Sequence, residues 1–183
     1  PPPAPGPPRR QPRPGGRRCG RRSVWRHRAA ILSVAISAAG GTRAAALVDD
    51  FEAGGGGWTF TGTWGVATEC VHSPSHGITA SPGSYYDNGT DSSATMASDV
   101  DLSTSLRPVL SFWHEHSLEA GYDFGRVEVS TDGGAGWSDP PLASYTGESG
   151  PMARQQLDLS AYAGEATVRV RFRLLTDGSV VRD

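Results

Sequence analysis

Val109-Leu-Ser-Phe-Trp-His-Glu-His116, the polar loop 117–125, Arg126-Val-Glu-Val-Ser130 and Thr131-Asp-Gly-Gly-Ala-Gly-Trp137 follow one another directly, and their pattern decides the fold. In Arg126 to Ser130 the apolar Val127 and Val129 alternate with Arg126, Glu128 and Ser130. A period of two sets one face on a core and the other in water, which is the pattern of a half-buried antiparallel strand. In the preceding run Leu110, Phe112, His114 and His116 share one face, and Trp113 and Glu115 take the other. Asp132-Gly133-Gly134 combines a side-chain acceptor for turn amides with residues that tolerate positive φ, so the chain reverses near Gly133. Trp137 then folds back onto the hairpin. Ser130, Asp132, Gly134 and Trp137 therefore read as a structural turn, with Asp132 as its cap and Trp137 as its shield.

Outward from this stretch the same alternation returns. Val168, Val170, Phe172 and Leu174 are expected to face inward and Arg169, Arg171 and Arg173 outward, the arginines pairing across strands with Glu128 and other local acids. Val100-Asp-Leu-Ser103 before Arg107-Pro-Val-Leu-Ser-Phe-Trp113 is echoed by Leu157-Asp-Leu-Ser160 before Glu165-Ala-Thr-Val-Arg-Val-Arg-Phe172. Two copies suit a sandwich of similar antiparallel units and are too few for a solenoid. Upstream, Val48-Asp-Asp-Phe-Glu52 reads as a first strand, Gly54 to Gly57 as a break, and Trp58, Phe60 and Trp64 as one face of a second strand.

Leu110-Ser-Phe-Trp-His114, Gly121-Tyr-Asp-Phe-Gly125, Val127-Glu-Val-Ser-Thr-Asp-Gly-Gly134 and Trp137 together resemble the MAM-like jelly-roll domain of secreted bacterial proteins. That group includes the accessory domain of immune-inhibitor-A-type metallopeptidases. The resemblance runs from about Asp50 to the end, through Leu157-Asp-Leu-Ser-Ala-Tyr-Ala-Gly164 and Val168-Arg-Val-Arg-Phe-Arg-Leu-Leu-Thr-Asp177. It implies an all-β antiparallel sandwich, MAM-like or concanavalin-like. Members of the family continue with Gly-Trp-Tyr-Ile-Asp-Asp and a last strand, so the domain over 47–183 is expected to be incomplete at its C-terminus. In jelly-roll modules of this appearance first-strand acids and a late acid commonly hold a structural Ca²⁺, which suits six to eight oxygen ligands. The resemblance places that metal site at Asp50 and Glu52.

The charges are unevenly placed. Of the 17 basic residues, all arginine, ten lie at or before Arg43, whereas all 19 acids lie at or after Asp49. Residues 47–183 thus carry seven Arg against 19 acids, a formal charge of −12, which argues against nucleic-acid binding by phosphate neutralisation. Residues 1–20 are Pro, Gly and Arg with few apolar side chains, the composition of a disordered tail. Residues 21–46 then supply a basic start, the apolar run Ala29-Ala-Ile-Leu-Ser-Val-Ala-Ile-Ser-Ala-Ala39 and a small-residue exit at Ala44-x-Ala46. This is the layout of a secretory signal peptide cleaved after Ala46, and its alternative is an N-terminal amphipathic or core helix. The run is too short for a membrane span, which needs roughly 20 residues. Cys19 and Cys70 fall on opposite sides of the cut, so Cys70 is either a single buried thiol or the partner of a cysteine beyond Asp183.

Catalytic patterns fail on spacing. His114-Glu115-His116 contains the residue types of a zincin site, but that site needs histidines one helical turn apart, and this segment is a strand. His72 and His76 flank Pro74 and precede Gly77, which excludes a shared helix face. Ser130-x-Asp132-x-Gly134-x-x-Trp137 resembles the Asp-box hairpin of sialidase-type propellers, which repeat it blade after blade; here it occurs once and serves folding. Asn88-Gly-Thr90 is formally a glycosylation sequon and reads as a turn. Tyr85, Tyr86 and Asp87 could stack on and hydrogen-bond a sugar, or pack as a loop on the sandwich rim.

The expectation is a secreted or cell-surface bacterial β-sandwich without chemistry of its own. It would bind an extracellular protein or glycan, or support a neighbouring domain. The alternatives are a fragment of an extracellular peptidase whose catalytic domain lies elsewhere, and a surface-anchored adhesive protein.

Overall fold

The computed structural model describes residues 28–39, 47–68, 74–83 and 85–179. Its strands are β1 (Arg28–Ala39), β2 (Leu47–Asp49), β3 (Trp58–Phe60), β4 (Gly65–Ala67), β5 (Gly77–Thr79), β6 (Asp91–Met96), β7 (Arg107–Ser117), β8 (Phe124–Ser130), β9 (Ala143–Tyr145), β10 (Ala153–Asp158) and β11 (Arg169–Leu175). A single 3₁₀ turn, Ser160–Tyr162, interrupts them among the described residues. One sheet runs β10-β7-β1-β5-β4, with β2 also paired to β1, and the other runs β3-β6-β11-β8-β9. Every strand pair is antiparallel. The chain is an all-β sandwich of the jelly-roll class.

The inward faces follow the alternation. On β7 Leu110, Phe112, His114 and His116 are buried, and on β11 Val170, Phe172 and Leu174, with Val168 just ahead of it, are buried too. Phe112 and Phe172 meet across the two sheets edge to face at 5.2 Å, and Trp58 stacks on Phe172 at 5.7 Å. Such aromatic pairs add to what their area burial contributes. On the outer face of β11, Arg171 binds the buried carboxylate of Glu128, which also takes Arg173 at 3.3 Å. Arg173 in turn grips Asp91 at 2.6 Å. The expected cross-strand pairing of the Arg row is therefore what the sheet contains.

Two arrangements differ from the sequence expectation. The two consecutive runs read as extended arms of one sheet, β7 and β8, lie in different sheets. The return partner of β8 is β9, through Gly125↔Tyr145 and Val127↔Ala143. Alternation specifies which side chains face a core, but not which strand lies alongside.

The second difference concerns the run expected to be the apolar part of a signal peptide and to lie outside the domain over 47–183. In the structure Arg28–Ala39 is an inner strand of the first sheet, paired with β7 from Arg28↔Ser117 to Ala39↔Arg107. A register shift between Leu32 and Val34, with Ser33 at φ 51°, rephases the strand. Ile31, Val34 and Ile36 then all point into the core, with Val34 and Ile36 fully buried. A continuous apolar run has no period by which a leader, a core helix and a buried strand differ. The apolar run of the export pattern, Ala29 to Ala39, lies wholly within the strand Arg28–Ala39. The expected tail over 1–20, the remainder of 21–46 and Cys70 lie outside the described residues. No helix among the described residues is long and apolar enough to cross a membrane.

Candidate functional site

Three groups of chemistry-bearing side chains have a definite geometry. The first lies between the sheets. His114 and His116 come from the inner face of β7 and stack on each other at 5.2 Å, and the Tyr145 ring of β9 lies 4.7 Å from His114 and 5.4 Å from His116. They line a pocket together with Phe112, Leu118 and Phe172. Burial holds the His114 imidazole down to about 4, and the neighbouring His116 adds to the effect. Burial also lowers His116, against the upward pull of the Thr146 carbonyl and Glu148. Both rings are therefore neutral near pH 7, because charging them there would forfeit solvation. Both rings are buried and pack against Tyr145, with His114 also edge-on to Phe112.

The second group lies at the converging ends of three strands. β8 and β11 pair through Phe124↔Leu175, so Asp123, just before β8, meets Asp177, just after β11. The turn ahead of β8 closes with Asp123 N–H donating to the Glu119 carbonyl at 3.0 Å and brings Glu119 into the same corner. The carboxylates of Glu119, Asp123 and Asp177 offer ligand atoms all within 4.8 Å of one another and could hold a metal ion. Asp123 is buried; it accepts the Tyr86 hydroxyl at 2.5 Å and the Asp177 amide at 3.1 Å. Burial and then this bond raise the Tyr86 phenol, so it remains a donor. All-oxygen carboxylate donors suit a hard divalent cation.

The third group contains Glu52. Its carboxylate accepts the amides of Ser75 at 2.9 Å and His76 at 2.8 Å, the Ser75 hydroxyl at 2.5 Å and His76 Nδ1 at 3.1 Å. The Ser75 hydroxyl and then His76 hold it well below the usual carboxylate range, at about 2. Ser, His and a carboxylate are adjacent here, but the hydroxyl and the carboxylate both address the same ring nitrogen. A proton relay needs them on opposite nitrogens, so the cluster is a clamp for the 75–76 turn. Asp50 accepts the Glu52 amide at 3.1 Å in a local turn. Of the expected metal residues, Asp50 thus caps the Glu52 amide, and Glu52 binds the amides and side chains of Ser75 and His76. The described acids that converge for a cation are Glu119, Asp123 and Asp177.

Of the expected sugar-binding trio, Tyr86 is buried on Asp123, while Tyr85 is 45% exposed. The Asp87 carbonyl accepts the Thr176 hydroxyl at 2.9 Å. In the turn after β8, Ser130 Oγ accepts the Gly134 amide at 2.8 Å and Asp132 accepts the Gly136 amide at 2.8 Å. Gly133 and Gly134 sit at φ 72° and 95°, where a side chain would be strained. Trp137 lies flat on the Arg171 guanidinium at 4.2 Å, so it shields the sheet's outer ion pairs as well as the turn.

No family model matches the chain. Bacillopeptidase F of Bacillus subtilis (strain 168) is 28% identical to it over 148 residues. The chain is similar to part of a peptidase. The similarity covers 73% of this chain and 10% of that protein, so the chain spans about a tenth of the length of the relative it matches.

Sequence reasoning passed over Glu119, Asp123 and Asp177 because the first and last are 58 positions apart and meet only through the register of β8 with β11. The available signal was positional: one acid stands immediately before a strand and another two residues after a second strand. If those strands pair antiparallel, their acids share an end.

Proposed function

We propose that this β-sandwich is a non-catalytic, MAM-like module of a larger extracellular protein of peptidase type. The observation that carries this reading is the similarity to a tenth of the length of Bacillopeptidase F, on a fold whose Ser75–His76–Glu52 cluster has no relay geometry. The module's role is docking to an extracellular protein or glycan surface in support of a neighbouring domain. Tyr86 and Asp123 are bonded to each other, so their sequence neighbours, the exposed Tyr85 and Tyr122, occupy the same rim. Exposed aromatic faces beside an acidic corner suit stacking on a sugar or on an apolar side chain.

The acidic corner is the place for a structural Ca²⁺, held by Glu119, Asp123 and Asp177, which would tie the β8 and β11 ends together. Calcium at millimolar concentration should raise the melting temperature of the chain, because a ligand that binds only the folded state stabilises it. Asp177→Asn should remove most of the rise; an unchanged melting curve for the wild-type chain would exclude the site. For the module itself, labelled casein incubated with the chain should release nothing above buffer. Release that disappears in Ser75→Ala or His114→Gln would overturn the non-catalytic reading. Binding to an extracellular glycan or protein array should fall in Tyr85→Ala and Tyr122→Ala.

A further inference from the structure

We propose that the cleft between β7 and the β5–β2 side of the first sheet is a strand-acceptor site, and that Arg28–Ala39 is its separable occupant, held by pairing and packing alone. The sheet order puts β1 between β7 and β5, with β2 on the same side as β5. Removing β1 would leave β10–β7 facing β5–β4 and β2 across an unpaired gap. On one side β1 matches β7 over its whole length; on the other it meets Thr79 and Ile78 of β5, then Asp49, Val48 and Leu47 of β2. Both edges of the gap therefore present unpaired backbone to whatever fills it, and its floor is the core lined by Leu110 and Phe112. Such edges template the addition of an extended segment.

Three observations mark the occupant as separable. It precedes every other described strand in the chain, and residues 40–46 are the one covalent link between it and them. Five of its twelve residues are Ala, a type depleted in strands. It reaches its buried pattern through a shifted register with Ser33 at φ 51°, an uncommon conformation for a residue with a Cβ. In sequence the small-residue exit Ala44-x-Ala46 stands where a cut would free it. Cleavage there would leave a two-piece domain in which the leader strand persists as a noncovalent strand. This inference does not depend on the peptidase reading, because it concerns only the sheet.

The test uses the full chain with a specific protease site placed within residues 40–46 and cut under native conditions. The cut protein should retain the 1–46 piece on gel filtration and in native mass spectrometry. A fluorescent peptide of residues 28–39 should exchange into it saturably. The same peptide with Ile36→Asp should bind at least ten-fold more weakly, since that side chain enters the core. Separation of the pieces, with 47–183 remaining a monomer of unchanged melting temperature, would overturn the proposal. So would assembly of the cut 47–183 into dimers that exclude the peptide, since the occupant would then be a second copy. Aggregation that the peptide fails to prevent would also refute separability.

Discussion

Protonation of the buried histidine pair should be the main acid sensitivity of this domain. His114 is 6% exposed, its ring packed against Phe112 at 5.4 Å, His116 at 5.2 Å and Tyr145 at 4.7 Å, with no acid among the described residues paired to it. Its folded-state value, lowered from 6.5 to about 4, lies below that of the unfolded chain, so the unfolded chain binds the proton first. Stability from the neutral ring is complete above the unfolded value and is lost as pH falls below it, levelling off once pH passes the folded value. For His114 alone the loss between about pH 7.5 and about pH 5 is about 2 kcal/mol, taking 1.36 kcal/mol per tenfold change in proton affinity. His116, lowered by burial, adds to the loss in the same direction. Glu115, raised by burial and by Glu148, works against it, because its neutral form is favoured as pH falls. The carboxylates held low by their partners, such as Asp91 by Arg173, begin to act near about pH 5 and add little within the window. Urea denaturation at the two pH values should show the difference for the wild-type chain, and His114→Gln should flatten it by most of that amount. An equal pH dependence in the two proteins would refute the burial argument.

Three other expectations rest on single contacts. Ile36→Ala should cost about 2–5 kcal/mol in chemical denaturation, because the side chain is fully buried and its removal leaves a cavity; a cost near zero would show that β1 is not part of the folded sheet. Glu128→Ala should cost about 2–3 kcal/mol, less than for a fully buried pair, since Arg171 and Arg173 are 19% and 24% exposed and regain some water. The isosteric Glu128→Gln should cost less than the alanine variant, as read from their denaturation midpoints. Trp137→Ala should lower stability by about 1 kcal/mol through the lost Arg171 stacking, with the far-ultraviolet spectrum unchanged.

What was legible in the sequence is what short-range pattern encodes. Val127/Val129, Leu110/Phe112/His114/His116 and Val168/Val170/Phe172/Leu174 each announced their inward face, because strand side chains alternate whatever the partner. Ser130, Asp132, Gly134 and Trp137 announced a turn, because its hydrogen bonds close within a few residues. The sandwich class was implied by the resemblance to MAM-like domains, and the two echoed strand units suited it. Tertiary structure decided the rest. It assigned β7 and β8 to different sheets, gathered Glu119, Asp123 and Asp177 at one corner through the β8–β11 register, turned Glu52 toward Ser75 and His76, and placed Arg28–Ala39 inside a sheet. Each of these depends on which distant segment lies alongside. Local alternation states how a strand faces, and only the packed core selects its neighbour.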